Sequence, residues 1–400
     1  MNERLFEGLI VLDCASYIAG PAAATVMSDF GAQVIKIEPP GAGDPYRRRA
    51  VPGQGRAWRR NPHWELDARN KKSLALDIAS EPGHAVLRRL VARADVFITN
   101  YPPRVRRRLR IAYDDLAPLN IRLIYGSFTG YGETGAEADK PGFDATAWWA
   151  RSGLMHLVRS GSDTAPARSL PGMGDHPSAM AMYGAIVTAL YQRERTGKGG
   201  RVGSSLLANG LWANGCHVQA TLCGETIVPQ PPRERGQNAL RMHYQCRDGR
   251  WLLLSIVSDE RRWQLFKDCL DASALDDARF ATAELREANS GALIAALDGI
   301  FATRTLADWR AKLDQAGLVF GIVAVPQDIP EDPQMRASGA IVPFEDGGLL
   351  TVSSPIWIDG QEKVAPRPAP ELGEHSDAVL TSAGYTEDQI AELRVAGIVG

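Results

Sequence analysis

Asp175 is the residue whose surroundings most favour chemistry. It lies in PGMGDHPSAM, behind Gly172 and Gly174 and two positions before Pro177. Proline suits a first helical turn, where its missing N–H costs nothing, so the turn is expected to open a helix. A carboxylate there is kept ionised by the helix dipole, and the glycines leave room for a substrate to approach the backbone. Asp175 is therefore read as a nucleophile, although the same pattern also suits a helix cap. His176 invites an acid/base reading, but neighbours on a turn often point apart, so it is read as structure.

Two arginine clusters, Arg47, Arg48 and Arg49, and Arg104, Arg106, Arg107, Arg108 and Arg110, could hold phosphates, which guanidinium groups bind bidentately. Most read as solvated surface. At least one of those following Asn100 and Tyr101, at a strand's C-terminal end, falls where α/β folds bind ligands. Gly130, Gly132 and Gly135 spell GYGETG. A dinucleotide fingerprint also needs an immediate helix and a later acidic residue, and Pro141 interrupts, so these glycines read as a flexible turn.

The elements that must position these groups alternate. Leu9 to Asp13 and Gln33 to Glu38 read as strands flanking a helix from Pro21 to Phe30. Further strands are expected at Ser73 to Ile78, Val96 to Thr99 and Arg122 to Phe128, with a helix from about Glu81 to Ala94. Such alternation predicts an α/β fold with a doubly wound sheet. Gly41 to Asn61 is a long Gly-, Pro- and Arg-rich loop that could close over a ligand. After Asp175, the residues Met180, Tyr183, Gly184, Val187, Leu190 and Tyr191 recur at helical spacing as a buried stripe, and Gly197 ends the helix. The Pro- and Arg-rich stretch VPQPPRERGQ marks a linker, and the segment from about Met242 to Val325 beyond it could be a smaller second domain.

Composition narrows the class. The 400 residues are 44% hydrophobic and 23% charged, with net charge -2, so no global charge draws the chain to nucleic acid or an anionic membrane. Its five cysteines form no CxxC pair, which argues against a disulfide framework and a zinc site and suits the cytoplasm. The N-terminus reads as neither secretory signal nor membrane span, and no metal is expected.

Several motifs, in order and across nearly the whole chain, carry a resemblance: AGPAAATVMSDFGAQVIKIEPPGAGD, NKKSLALDI, TNYPPR, YGSFTGYGETG, GDHPSAM, QRERTGKGGRV and PAPELGEHSDAVL. They resemble class III CoA transferases, the family of formyl-CoA and carnitine CoA transferases and α-methylacyl-CoA racemase. The resemblance implies an interlocked homodimer, with a Rossmann-like large domain built from both ends of the chain, 1–225 and 331–400, and a smaller α+β domain with its linker over 226–330. It makes Asp175 the nucleophile that forms a mixed anhydride and then an aspartyl-CoA thioester. CoA contacts would be Tyr17, Ala19, Leu76, Asn100, Tyr101 and Arg108; acceptor-side positions would be Ile18, Phe143 and Asp144. Coenzyme A thioester would be a co-substrate, with no permanently bound cofactor.

Trp148 and Trp149, a pair more often found in a core, adjoin that acceptor side and suggest a larger or aromatic acid; a succinyl-CoA donor is equally open. Three departures stand out. Gly142-Phe143-Asp144 replaces the racemases' Gly-His-Asp, and phenylalanine cannot move a proton. The four-glycine lid of the formyl-CoA enzymes is absent before His243, and Pro39 stands where an Arg is common. The alternatives are an epimerase or racemase of the same family, or a protein that binds CoA esters without turnover.

Overall fold

The computed structural model describes residues 4–48, 61–257 and 259–400. The chain divides into two units, one of Met1–Met155, Arg168–Glu225 and Gln334–Gly400, the other of His156–Ala167 and Thr226–Pro333. Most of the expected Gly41 to Asn61 loop, with Arg49, lies outside the described residues.

The first unit is built on six parallel strands, β1 (Ile10–Asp13), β2 (Gln33–Glu38), β3 (Lys72–Ala75), β4 (Val96–Thr99), β5 (Ile124–Thr129) and β6 (Gly200–Ser205), in the order β3-β2-β1-β4-β5-β6. Helices α1 (Ala19–Asp29), α2 (Pro62–Ala68), α3 (Glu81–Val91), α4 (Pro103–Arg108), α5 (Asp175–Thr196) and α6 (Leu206–Ala213) accompany it. Buried parallel strands need apolar residues on both faces, as VFIT in β4 illustrates. The predicted strand at Ser73 to Ile78 is shorter, because Leu76 leaves the sheet to bridge Val399.

Every residue of α1 is buried, and its run of alanines lets α5 pack closely against it. This contact corrects the expected stripe. The buried face of α5 holds Ala179, Met182, Tyr183, Ile186, Ala189 and Leu190, while Gly184 is exposed and Tyr191 is 64% exposed. Small alanines carry little periodic signal, yet they are what a close helix contact selects.

The segment 144–150 forms a seven-residue π-helix that the sequence reading did not anticipate. Gly210 of α6 lets it approach, since a Cβ there would lie 2.4 Å from the Trp148 carbonyl oxygen. The C-terminal segment returns to the edge of β3, where the Gly400 N–H donates to the Ala75 carbonyl and the Ser376 hydroxyl accepts from the Ala75 N–H. The second unit carries an antiparallel sheet of β7 (His243–Gln245), β8 (Trp251–Leu254) and β9 (Phe320–Val323), with a core including Phe266, Phe301 and Trp309.

Candidate active site

A cavity of about 340 Å³ opens at the C-terminal ends of β1, β4 and β5. Between β1 and β4 the strand order reverses, which is where doubly wound folds bind ligands. Tyr17, Ile18, Ala19, Asn100, Tyr101, Phe143 and Asp175 all line it. A larger cavity, about 750 Å³, lies at the N-terminal ends of β2 and β3 and contains none of these residues.

Asp175 is the first residue of α5, and the N-cap is Gly174, which makes no side-chain hydrogen bond. Asp175 thus stands one residue inside the helix, not at the N-cap position. Gly174 is required here, because a Cβ would lie 2.6 Å from the Trp148 ring. α1 likewise starts without a side-chain cap, from Ile18. Both helices run back from the cavity end of the sheet, so two uncapped N-termini meet beside Asp175. Their positive dipole ends suit an anion.

The loop from β1 to α1 is held by groups with their own counter-charges. The parallel register sets Asp13 opposite Lys36. Lys36 Nζ lies 2.9 Å from Asp44 Oδ2 and 3.7 Å from Asp13 Oδ1, and donates to the Ala15 carbonyl; Lys71 Nζ lies 2.8 Å from Asp13 Oδ2. Burial pushes the Asp13 pKa up, but Lys36 and Lys71 outweigh it and hold the carboxyl below its ordinary range. Asp44 Oδ1 accepts from the Tyr17 N–H at 3.2 Å, and Tyr17 has φ of 63°. Asn100 accepts from the Ser16 N–H at 2.8 Å and donates to the Ser16 carbonyl at 2.6 Å. Its amide thus clamps the loop rather than pointing into open space. Burial pushes the neighbouring Tyr101 phenol up to about 12, so it stays neutral.

Four predicted residues lie outside the lining. Leu76 is buried in the core on the far side of the sheet. Arg108 is exposed at the end of α4, whereas Arg106 pairs with Glu133 and Arg107 with Asp139. Trp148 is 7% exposed, stacked on Trp149 with centroids 6.1 Å apart beneath the Gly174 turn. Asp144 is buried at the start of the π-helix; its Oδ1 accepts from the Ala145 N–H and its Oδ2 has no hydrogen-bond partner. Phe143, by contrast, is 56% exposed and meets Tyr17 edge-on at 5.8 Å.

GYGETG follows β5 with no helix, and Gly130 packs on Gly142, where a Cβ would lie 3.0 Å away. Sequence reasoning missed Phe128 and Leu206 in the lining, and Lys36, Asp44 and Asp67 behind it. The signal for Lys36 was present: a lysine inside QVIKIE, in a strand buried on both faces, requires a buried partner.

Fold and site define a doubly wound α/β protein with a carboxylate lining the cavity at its strand-order reversal. A model of CoA-transferase family III matches residues 6–376, and the chain belongs to that family. It is 31% identical over 400 residues to (R)-2-hydroxy-4-methylpentanoate CoA-transferase of Clostridioides difficile, covering 99% of each chain. It is 30% identical to succinyl-CoA:glutarate CoA-transferase of Mus musculus, covering 100% of this chain and 91% of that one. Among solved structures, a CAIB/BAIF family protein from Brucella suis superposes with TM-score 0.84 at 28% identity, covering 96% of this chain and 100% of that one. The protein is a CoA-transferase, an enzyme whose co-substrate is a CoA thioester. No described helix is long and apolar enough to cross a membrane, and no described cluster of His, Cys, Asp or Glu could hold a metal ion.

Proposed function

We propose that the enzyme moves CoA from an acyl-CoA to a carboxylic acid through covalent intermediates on Asp175. The observation that carries this reading is the position of Asp175, at the start of α5 in a cavity where two uncapped helices meet. Asp175 attacks the thioester carbonyl and expels CoA thiolate, leaving an aspartyl mixed anhydride. The thiolate then attacks the aspartyl carbonyl, releasing the donor acid and leaving an aspartyl-CoA thioester. The acceptor carboxylate displaces the thiolate to form a second anhydride, and the thiolate attacks its acyl carbonyl to release the new acyl-CoA.

A carboxylate needs no base at neutral pH, and a thiol of pKa about 8.5 is a tolerable leaving group. The backbone N–H of Ala19, which lines the cavity at the start of α1, is suited to the oxyanion. Tyr17, Ala19, Asn100 and Tyr101 would face CoA, with Arg108 reaching its phosphates and Leu76 supporting from behind. Ile18 and Phe143 would face the acid, with Asp144 and Trp148 backing them. The named relatives at nearly equal identity act on a branched hydroxy acid and on dicarboxylates, so identity does not choose the acid.

We also propose a cytoplasmic, interlocked homodimer, in keeping with five free cysteines and with the exposed side chains of Tyr191, Trp212 and Trp357.

Peptide mass spectrometry after incubation with a panel of acyl-CoAs and hydroxylamine tests the mechanism. The expected result is a hydroxamate or CoA adduct on the Asp175 peptide that is absent in Asp175→Ala. An unmodified peptide despite acyl-CoA binding would remove Asp175 from the chemistry.

A further inference from the structure

His176 has two hydrogen-bond partners, and both are acceptors. Its Nε2 lies 3.0 Å from Asp67 Oδ1, and its Nδ1 lies 3.2 Å from the Gly172 carbonyl oxygen. A neutral imidazole has one N–H and can donate to only one of them; an imidazolium donates to both. Asp67 is 2% exposed and its Oδ2 has no hydrogen-bond partner, so among the described residues the hydrogen bond from His176 is the one its buried side chain receives, with the Lys71 charge near it.

Burial opposes the charged ring, but the hydrogen bond and charge of Asp67, the Gly172 carbonyl and the Asp175 carboxylate prevail. The His176 pKa is thereby raised above its ordinary value. Among the described residues, the charged groups facing the ring are Asp67 from α2 and Asp175 from α5, with Lys71 beyond Asp67. From α1 the neighbouring group is the apolar Ile18. Gly172, at φ +79°, is wedged between them: a Cβ would lie 3.1 Å from His176 Nδ1 and 3.4 Å from Ile18 Cδ1.

We propose that His176, as an imidazolium held between Asp67 and the Gly172 carbonyl, is a positioning residue that fixes the turn presenting Asp175. That role rests on Asp175 being the nucleophile. His176 transfers no proton in it. When the ring loses its charge one bond is lost, and the turn that sets the attack geometry loosens. A misplacement of about 1 Å can cost ~100-fold in rate.

The test is the rate of hydroxamate formation on the Asp175 peptide against pH, with acyl-CoA affinity measured alongside. In the wild type the rate falls as pH rises through the His176 pKa, while affinity holds. His176→Asn keeps an amide nitrogen near Nδ1, and His176→Gln keeps one near Nε2. Each should lose about tenfold or more in kcat with KM for acyl-CoA within about twofold, and neither should show the alkaline fall. Asp67→Asn lets a neutral ring donate to Gly172 and accept from the new amide, so it should flatten the fall. Wild-type rates in both His176 variants, or an unchanged alkaline fall in Asp67→Asn, would overturn the positioning role and leave the nucleophile standing. No adduct in the wild type would overturn both.

Discussion

A lysine in the middle of a parallel sheet has to find its counter-charge inside the protein. Lys36 finds it in Asp13, opposite in register, and in Asp44, which in turn holds the backbone of Tyr17. Stability and site geometry therefore meet at one ammonium group. Lys36→Met should cost about 3–5 kcal/mol in denaturant unfolding, because it strands buried carboxylates. A loss under 1 kcal/mol would show that Asp13 and Asp44 are compensated without it. The pH dependence follows from Asp13, whose folded pKa lies below its unfolded value. Its stabilisation is complete above the unfolded value, about 3.9, and is lost as pH falls through the folded one. Unfolding midpoints followed from neutral into acid pH should therefore decline less steeply in Asp13→Asn than in the wild type; equal slopes would contradict this origin.

Helix α5 matters through how it starts. Gly174 is an N-cap with no side chain to bond the first turn, Trp148 lies against it, and Asp175 is delivered in that turn. Gly174→Ala must displace either the Trp148 ring or the turn, and overpacking of this kind costs about 1–3 kcal/mol. The expected outcome is lower stability and lower kcat, partly recovered in the double variant with Trp148→Leu. Additive losses in that double-mutant cycle would show that the two residues do not act through each other. The helix itself was legible, with its proline and terminal glycine, but its buried face only in part. Periodicity selected Tyr183 and Leu190, which are buried, and Gly184 and Tyr191, which are exposed, whereas packing against α1 also selected Ala179, Met182 and Ala189.

At the scale of the whole molecule, the first unit closes on itself when residues near the C-terminus dock along β3. An interlocked pair has no folded route apart, so dilution should leave its sedimentation unchanged while its unfolding midpoint rises with protein concentration. A monomer appearing on dilution would exclude the interlocked arrangement. By itself the sequence determined the alternation of strands and helices and singled out Asp175, which lines the cavity. Those depend on local pattern: apolar runs, turn glycines, and a carboxylate beside a helix start. Tertiary structure alone decided that Asn100 grips Ser16, that Trp148 lies beneath Gly174, and that Lys36 and Asp67 brace the cavity from behind. Such contacts join residues far apart in the chain, and only strand register and helix packing bring them together.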